Sequence, residues 1–405
     1  MFYIFKSFST ELKFYLIMTA LFSFGNSMSG VFQSIFLWKL DKTYSLLAQY
    51  SLYWSVSIIV SFGLCAWLAR KTSPMITMRL GFLFYLFVYI VMLFFHQSLN
   101  QHIILLGGTM GLALSLYSVG MHMAILDLTT NEKRDQFLYI QGTLTTIGGI
   151  IAPLLSGILI SHFKGMHGYF VVFVATCCFF IIAFIVSLKV KGKPIESKSY
   201  LWEVIRKPSM EWKKMYPVMF ADGIVSGTFV MFLVSMMTFK VAGGELNLGI
   251  FSSTAQIVSI LTFLILAKFS NPEYRIAIFA IGGACIFLSS VLLSIFPIFI
   301  TLVLFAFIQP ISMNMIGTSM SALIYASIEK DPEYRVKRLD YIIIRELPLG
   351  FGRIIGIFLF LIMRNNFQLD RLLPVSFSSF SIVYLLMVPS LYVIWRNRKQ
   401  SKEVI

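Results

Sequence analysis

Twelve apolar runs, each roughly 18 to 28 residues long, take up most of the 405-residue chain and leave it few ways to fold. At about 1.5 Å per residue, each is long enough to cross the ~30 Å hydrocarbon core of a bilayer as a helix. In lipid the backbone polar groups must be satisfied internally, and a run of this length does so as a helix. The runs lie near residues 14–38, 46–69, 77–95, 102–126, 136–162, 168–188, 216–240, 247–267, 276–293, 297–327, 340–363 and 373–395. Composition agrees: 58% of residues are hydrophobic and 13% charged, about half the charge of a soluble domain. The expected class is an all-α membrane protein with twelve transmembrane helices.

The net charge of +15 would suggest nucleic acid in a soluble chain. Here its distribution reads differently. With the N-terminus inside, 25 of the 33 basic residues fall on the inner side and six in outer loops (Lys39, Lys42, Lys164, Lys240, Arg364 and Arg371). The other two, Arg345 and Arg353, are inside a run. That bias predicts both termini in the cytoplasm. The positive charge then meets anionic lipid heads, and no nucleic-acid partner is expected. The four cysteines all fall in apolar runs with no CxxC pair, and the five histidines have no ligand spacing, so neither disulfides nor a metal or other cofactor is expected. The first run is too long for a removable signal and lacks a small-residue cleavage site.

The long polar connection, residues 189–215, divides the chain at its middle. Within it "SYLWEVIRK" sets Tyr200, Leu201, Val204 and Ile205 at helical spacing, as in a short helix lying on the membrane face. The halves on either side echo each other. "LARKTSP" from Leu68 returns as "LAKFSNP" from Leu266, and "SGVF" from Ser29 as "SGTF" from Ser226. "RDQFLYIQGTLTTIGGIIA" from Arg134 lies over "RLDYIIIRELPLGFGRIIG" from Arg338, pairing Gln141 with Arg345 and Gly148 with Gly352. Three matches in order, half a chain apart, argue for a duplicated six-span unit. The expected domains are an N-terminal bundle over 1–188, the linker 189–215 and a C-terminal bundle over 216–405.

Twelve spans, a basic central loop and two six-span halves resemble the major facilitator superfamily. "AWLARKTSP" keeps Leu68 and Ala69 of that family's loop between spans 2 and 3, with Arg70 and Ser73 where an acid and a glycine are usual. "GGIIAPLLSG" keeps Gly148, Pro153 and Gly157 of its span 5 antiporter signature, with Ala152 and Ser156 at two glycine positions. The arginine that many drug exporters carry in span 4 is absent. The resemblance implies two pseudo-symmetric six-helix bundles and alternating access, with a cavity lined by spans 1, 4, 7 and 10. It implies a transporter, not an enzyme, acting as a monomer in the plasma membrane, with a small molecule, protons and lipids as its partners. Proton-coupled export of a small amphipathic or apolar compound is the preferred reading. Carriage of an anionic lipid or glycolipid is the alternative, and a scaffold or receptor without flux is a third.

Ions inside a bilayer are costly and usually functional. Of eighteen acids only Asp222 in span 7 and Glu346 in span 11 lie well inside, and Arg345 and Arg353 share span 11 with Glu346. Glu346, Gly350 and Arg353 follow i, i+4, i+7 spacing and share a face, whereas Arg345 is turned about 100° away. Three roles are open for this cluster: a structural lock, a proton-exchanging acid whose affinity a nearby arginine sets, or an arginine that binds an anionic substrate group. Asn26 and Gln33 in span 1, His122 in span 4, Gln141 in span 5, and Gln309 and Asn314 flanking Pro310 in span 10 are candidate cavity residues. Plain interhelical hydrogen bonding is the competing role for each.

Overall fold

A computed structural model describes residues 8–128, 131–163, 165–192, 198–268 and 272–403. Among these, twelve helices are long and apolar enough to cross a membrane. Spans 1 to 6 are Thr10–Asp41, Ser45–Lys71, Pro74–Phe94, Ser98–Ile125, Ile140–His162 and His167–Ser187. Spans 7 to 12 are Met210–Ala242, Glu245–Leu266, Arg275–Ile295, Phe299–Ile328, Asp340–Asn366 and Leu369–Val393. Residues 193–197 of the linker, and the side chains of Asp127, Arg134 and Arg338, lie outside the described ones.

Local chemistry sets several helix starts. Ser9, Ser73 and Ser209 each accept a hydrogen bond from the amide three residues on, and Pro74 follows Ser73 at the first helical position. Pro310 does not break span 10, which runs unbroken through it. The outward faces carry bulky apolar side chains such as Val60, Leu64 and Trp67, 63%, 63% and 58% exposed, as lipid contact requires.

The chain forms two compact units. The first comprises residues 1–197 with 243–253, and the second 198–242 with 254–405. The first two and a half turns of span 8, to Ser253, thus belong with spans 1 to 6. Within the first unit span 1 packs on spans 5 and 6, and span 3 on spans 4 and 6. Within the second, span 7 packs on spans 11 and 12, and span 9 on spans 10 and 12. The same pairing order recurs half a chain later, as the sequence echoes lead one to expect.

The first unit's interior is aromatic. Phe22 stacks on Phe180 at 5.0 Å and meets Tyr117 at 4.1 Å, and Phe82 and Tyr85 close the cluster. At one end Glu245 of span 8 accepts from Tyr169 of span 6 at 2.8 Å and pairs with Lys39 of span 1. Below this clasp span 8 lies against span 5, where a Cβ at Gly249 would stand 2.6 Å from the Pro153 carbonyl oxygen.

The linker helix, Leu201–Arg206, packs in the second unit against the start of the span 11 helix. Val204 is buried there, and Ile205 turns outward with Trp202, contrary to the expected four-residue apolar face. Competition from span 11 explains the difference: a helix this short has one side to bury, and Val204 takes it. Lys337 pins the contact, with Glu203 and Glu333 each at 2.6 Å. Hydrogen bonds to Glu203 first, and then to Glu333, hold the Lys337 ammonium above its ordinary range. The Tyr200 amide adds a bond to fully buried Asp340 at 3.2 Å.

Candidate functional site: a charge cluster on spans 7 and 11

Two G-x-x-x-G sequences build the floor of the site: "GIVSG" at 223–227 in span 7 and "GRIIG" at 352–356 in span 11. Small residues four apart form a flat helix face on which a second backbone can lie. A Cβ added at Gly223 would strike the Leu349 carbonyl oxygen, one at Gly352 that of Phe220, and one at Gly356 that of Ile224. At Gly227 it would stand 2.8 Å from the Arg353 Cα. The two helices therefore touch backbone to backbone over more than a turn, and any polar side chain beside the seam is held by both.

Glu346 is 6% exposed and uses both carboxylate oxygens. Arg345 Nη2 donates to Oε1 at 3.1 Å and Arg353 Nη1 to Oε2 at 3.1 Å. The Arg353 pair follows from their shared helix face. The Arg345 pair does not: despite its 100° offset, the long side chain curls back to its neighbour. Asp222 is half-buried, its carboxylate makes no hydrogen bond among the described residues, and it lies within electrostatic reach of Arg353, Arg345 and Glu346. Tyr384 of span 12 shares that environment, and its hydroxyl contacts Met313 Sδ of span 10 at 3.8 Å. The set amounts to two cations, two acids and a phenol inside one unit. Removing Glu346 would take from Arg353, 13% exposed, the carboxylate it is buried with, which is why such groups hold together. Directly after Asp222 and Gly223, span 7 changes to a π-helical stretch, Ser226–Leu233, a distortion common at functional sites.

The six polar cavity candidates are not gathered in this way. Gln33 is buried and donates to Tyr50 of span 2 at 2.8 Å, and Asn314 donates to the Ser259 carbonyl of span 8 at 3.2 Å. Gln141 is buried in span 5, and Asn26, His122 and Gln309 are half-buried in spans 1, 4 and 10. Asn26, Gln33, His122 and Gln141 belong to the first unit, Gln309 and Asn314 to the second. Tyr384 escaped sequence reasoning because tyrosine is common in apolar runs. The offset gives a signal: 204 residues before Tyr384 stands Phe180, and 197 before Asp222 stands Gly25. Gly25 lies against Phe180, where a Cβ would be 3.0 Å from the ring.

Comparison with known proteins now defines the class. The family model described as Major Facilitator Superfamily matches residues 91–339, and the chain belongs to that family of membrane transporters. It is 26% identical over 373 residues to the uncharacterized protein YqgE of Bacillus subtilis (strain 168), covering 92% of this chain and 86% of that one. A Geobacillus stearothermophilus protein, named only by its place in the sodM 3' region, is 29% identical over 154 residues, 38% of this chain and 72% of that one. Among solved structures, a point mutant of the nucleoside transporter NupG superposes with a TM-score of 0.75 at 13% identity, covering 95% of this chain and 100% of that one. A structure described in terms of proton dependent oligopeptide transporters gives 0.71 at 12% identity, covering 96% and 99%. At such identities the likeness speaks for the fold.

Proposed function

We propose that this protein is a proton-coupled secondary carrier that works by alternating access and exports a small amphipathic or apolar compound. One observation carries the reading: a half-buried acid, Asp222, whose carboxylate makes no hydrogen bond among the described residues, within reach of a Glu346–Arg353–Arg345 group. A structural lock needs its acids paired, and Glu346 is. Asp222 is instead poised to take up a proton when Arg353 turns away and to release it when Arg353 returns. The export direction rests on the partial span 5 signature. The basic bias sets both termini in the cytoplasm of a plasma-membrane protein, and the chain acts as a monomer.

The test uses everted vesicles with an imposed inside-acid gradient, which drives uptake of the exported compound. A growth screen of a deletion strain against toxic compounds supplies the substrate. Asp222→Asn abolishes the gradient-driven component and spares exchange at equilibrium. Uptake that survives both Asp222→Asn and Glu346→Gln rejects the coupling role.

A second reading, carriage of an anionic lipid or glycolipid, draws on Arg345. Its side chain is 32% exposed against 13% for Arg353, and its Nε makes no hydrogen bond among the described residues. A guanidinium with donors to spare suits a phosphate or carboxylate. Flip of a fluorescent anionic lipid in reconstituted vesicles, stopped by Arg345→Ala, distinguishes this reading from the first.

A further inference from the structure

On another flank of the span 7–span 11 seam lies an apolar groove of about 400 Å³. Span 7 lines it with Tyr216, Pro217 and Phe220, and span 11 with Ile344, Leu347, Pro348 and Phe351. The span 11 residues recur at i, i+3, i+4 and i+7, so they form one stripe along the helix, separate from the stripe that carries Glu346 and Arg353. Counted from the starts of the two spans, the groove runs from roughly 6 to 17 Å deep, within the half-bilayer nearest the chain termini. It is open: Pro217 is exposed and Phe351 is 56% exposed.

Its mouth is charged. Lys213 precedes Tyr216 and Pro217 by three and four residues, so it stands one turn below them on the same face, and it is exposed. Nearby charges are already engaged. Lys214 pairs with Glu211 at 2.7 Å, Lys337 with Glu203 and Glu333, and fully buried Asp340 accepts the Tyr200 amide. Lys213 makes no ion pair among the described residues, and it stands one turn outside the apolar slot.

We propose that this groove binds one anionic phospholipid from the leaflet facing the chain termini, with an acyl chain along the span 7–span 11 stripe and the headgroup phosphate on Lys213. The chemistry is complementary at both ends. The slot removes apolar surface from mobile lipid contact, and the lysine ammonium reaches the headgroup region as long cationic side chains do near helix ends. A bound lipid braces the helix pair that carries the charge cluster. The site is independent of which substrate the carrier moves.

Native mass spectrometry of the purified protein, with equimolar phosphatidylglycerol and phosphatidylcholine of identical chains, tests this. The wild type retains one phosphatidylglycerol with a preference of about fivefold, the value of one near-surface lysine. Lys213→Gln reduces the preference to near unity while total retention persists. Leu347→Trp, which fills the slot, lowers retention of both lipids. Lys71→Gln, on the exposed end of span 2, leaves the preference unchanged. Equal retention of the two lipids by the wild type overturns the proposal, as does an unaltered preference in Lys213→Gln.

Discussion

The span 1–span 5 pair and the span 7–span 11 pair occupy corresponding places in their units and are built on opposite principles. In the second, backbone meets backbone through Gly223, Gly227, Gly352 and Gly356, with charges beside the seam. In the first, three of the four charged residues have glycine counterparts, Gly25 for Asp222, Gly142 for Glu346 and Gly149 for Arg353, and Arg345 has Gln141, at the same offsets as the sequence echoes. A Cβ at Gly148, counterpart of Gly352, would meet Phe24, ring and Cα, at an ordinary 3.5 Å or more, and one at Gly30, counterpart of Gly227, would meet nothing within 4 Å. The first pair is looser at these positions, and span 1 instead turns Phe22 into an aromatic cluster with spans 3, 4 and 6. Both pairs are built on one frame of offsets. They differ in whether small residues make room for rings or for ions.

Four substitutions can break or sharpen this contrast. The largest effect is expected from Glu346→Ala, which breaks both ion pairs of the cluster, one of them with largely buried Arg353, and costs about 3–5 kcal/mol, read by equilibrium unfolding in mild detergent. Replacing Glu346, Arg345 and Arg353 together by apolar residues of similar size should recover most of that loss and none of the transport. Gly352→Ala comes next, at about 3 kcal/mol, because its Cβ falls on a carbonyl that can yield only if the helices part. The corresponding Gly148→Ala should be neutral or stabilising by about 0.5–1 kcal/mol, since it gains helix propensity and meets Phe24 only at ordinary contact distance, 3.5 Å or more. A large loss there would show that the first pair is as tight as the second. Gln33→Leu should cost about 0.6 kcal/mol, the value of an ordinary interhelical bond, and leave transport intact. Abolished transport in a stable Gln33→Leu protein would return that residue to the cavity.

The twelve spans were legible because long apolar runs are a strong signal, and ions within such a run pointed to Glu346, Arg345 and Arg353, which pair with one another. Boundaries drifted where polar residues extend a helix: span 1 runs from Thr10 to Asp41, past both edges of its apolar stretch. Glu245 looked like part of a loop, yet it is the first residue of span 8 and holds Lys39 and Tyr169. Nothing in local pattern shows that, since the three residues are far apart in the chain. The polar candidates were harder still. Glutamine or asparagine in a span satisfies a neighbouring helix as readily as it faces a cavity, and only coordinates show that Gln33 and Asn314 each bond to a neighbouring span.

The π-helical stretch of span 7 has a consequence for any reasoning by helical wheel. Eight residues of wider winding shift the angular phase of everything beyond them, so Val234–Ala242 presents a different set of side chains to its neighbours than an α-helix would. Met236 and Met237, adjacent in the chain, are both buried, and Thr238 with them. The Met-rich run "VMFLVSMMTF" is therefore two faces joined by a phase slip, and its inner half and outer half answer to different partners. A single-residue deletion or insertion in 226–233 would act less like a local defect than like turning a key: the outer third of the helix would rotate while the charged seam below stayed in register.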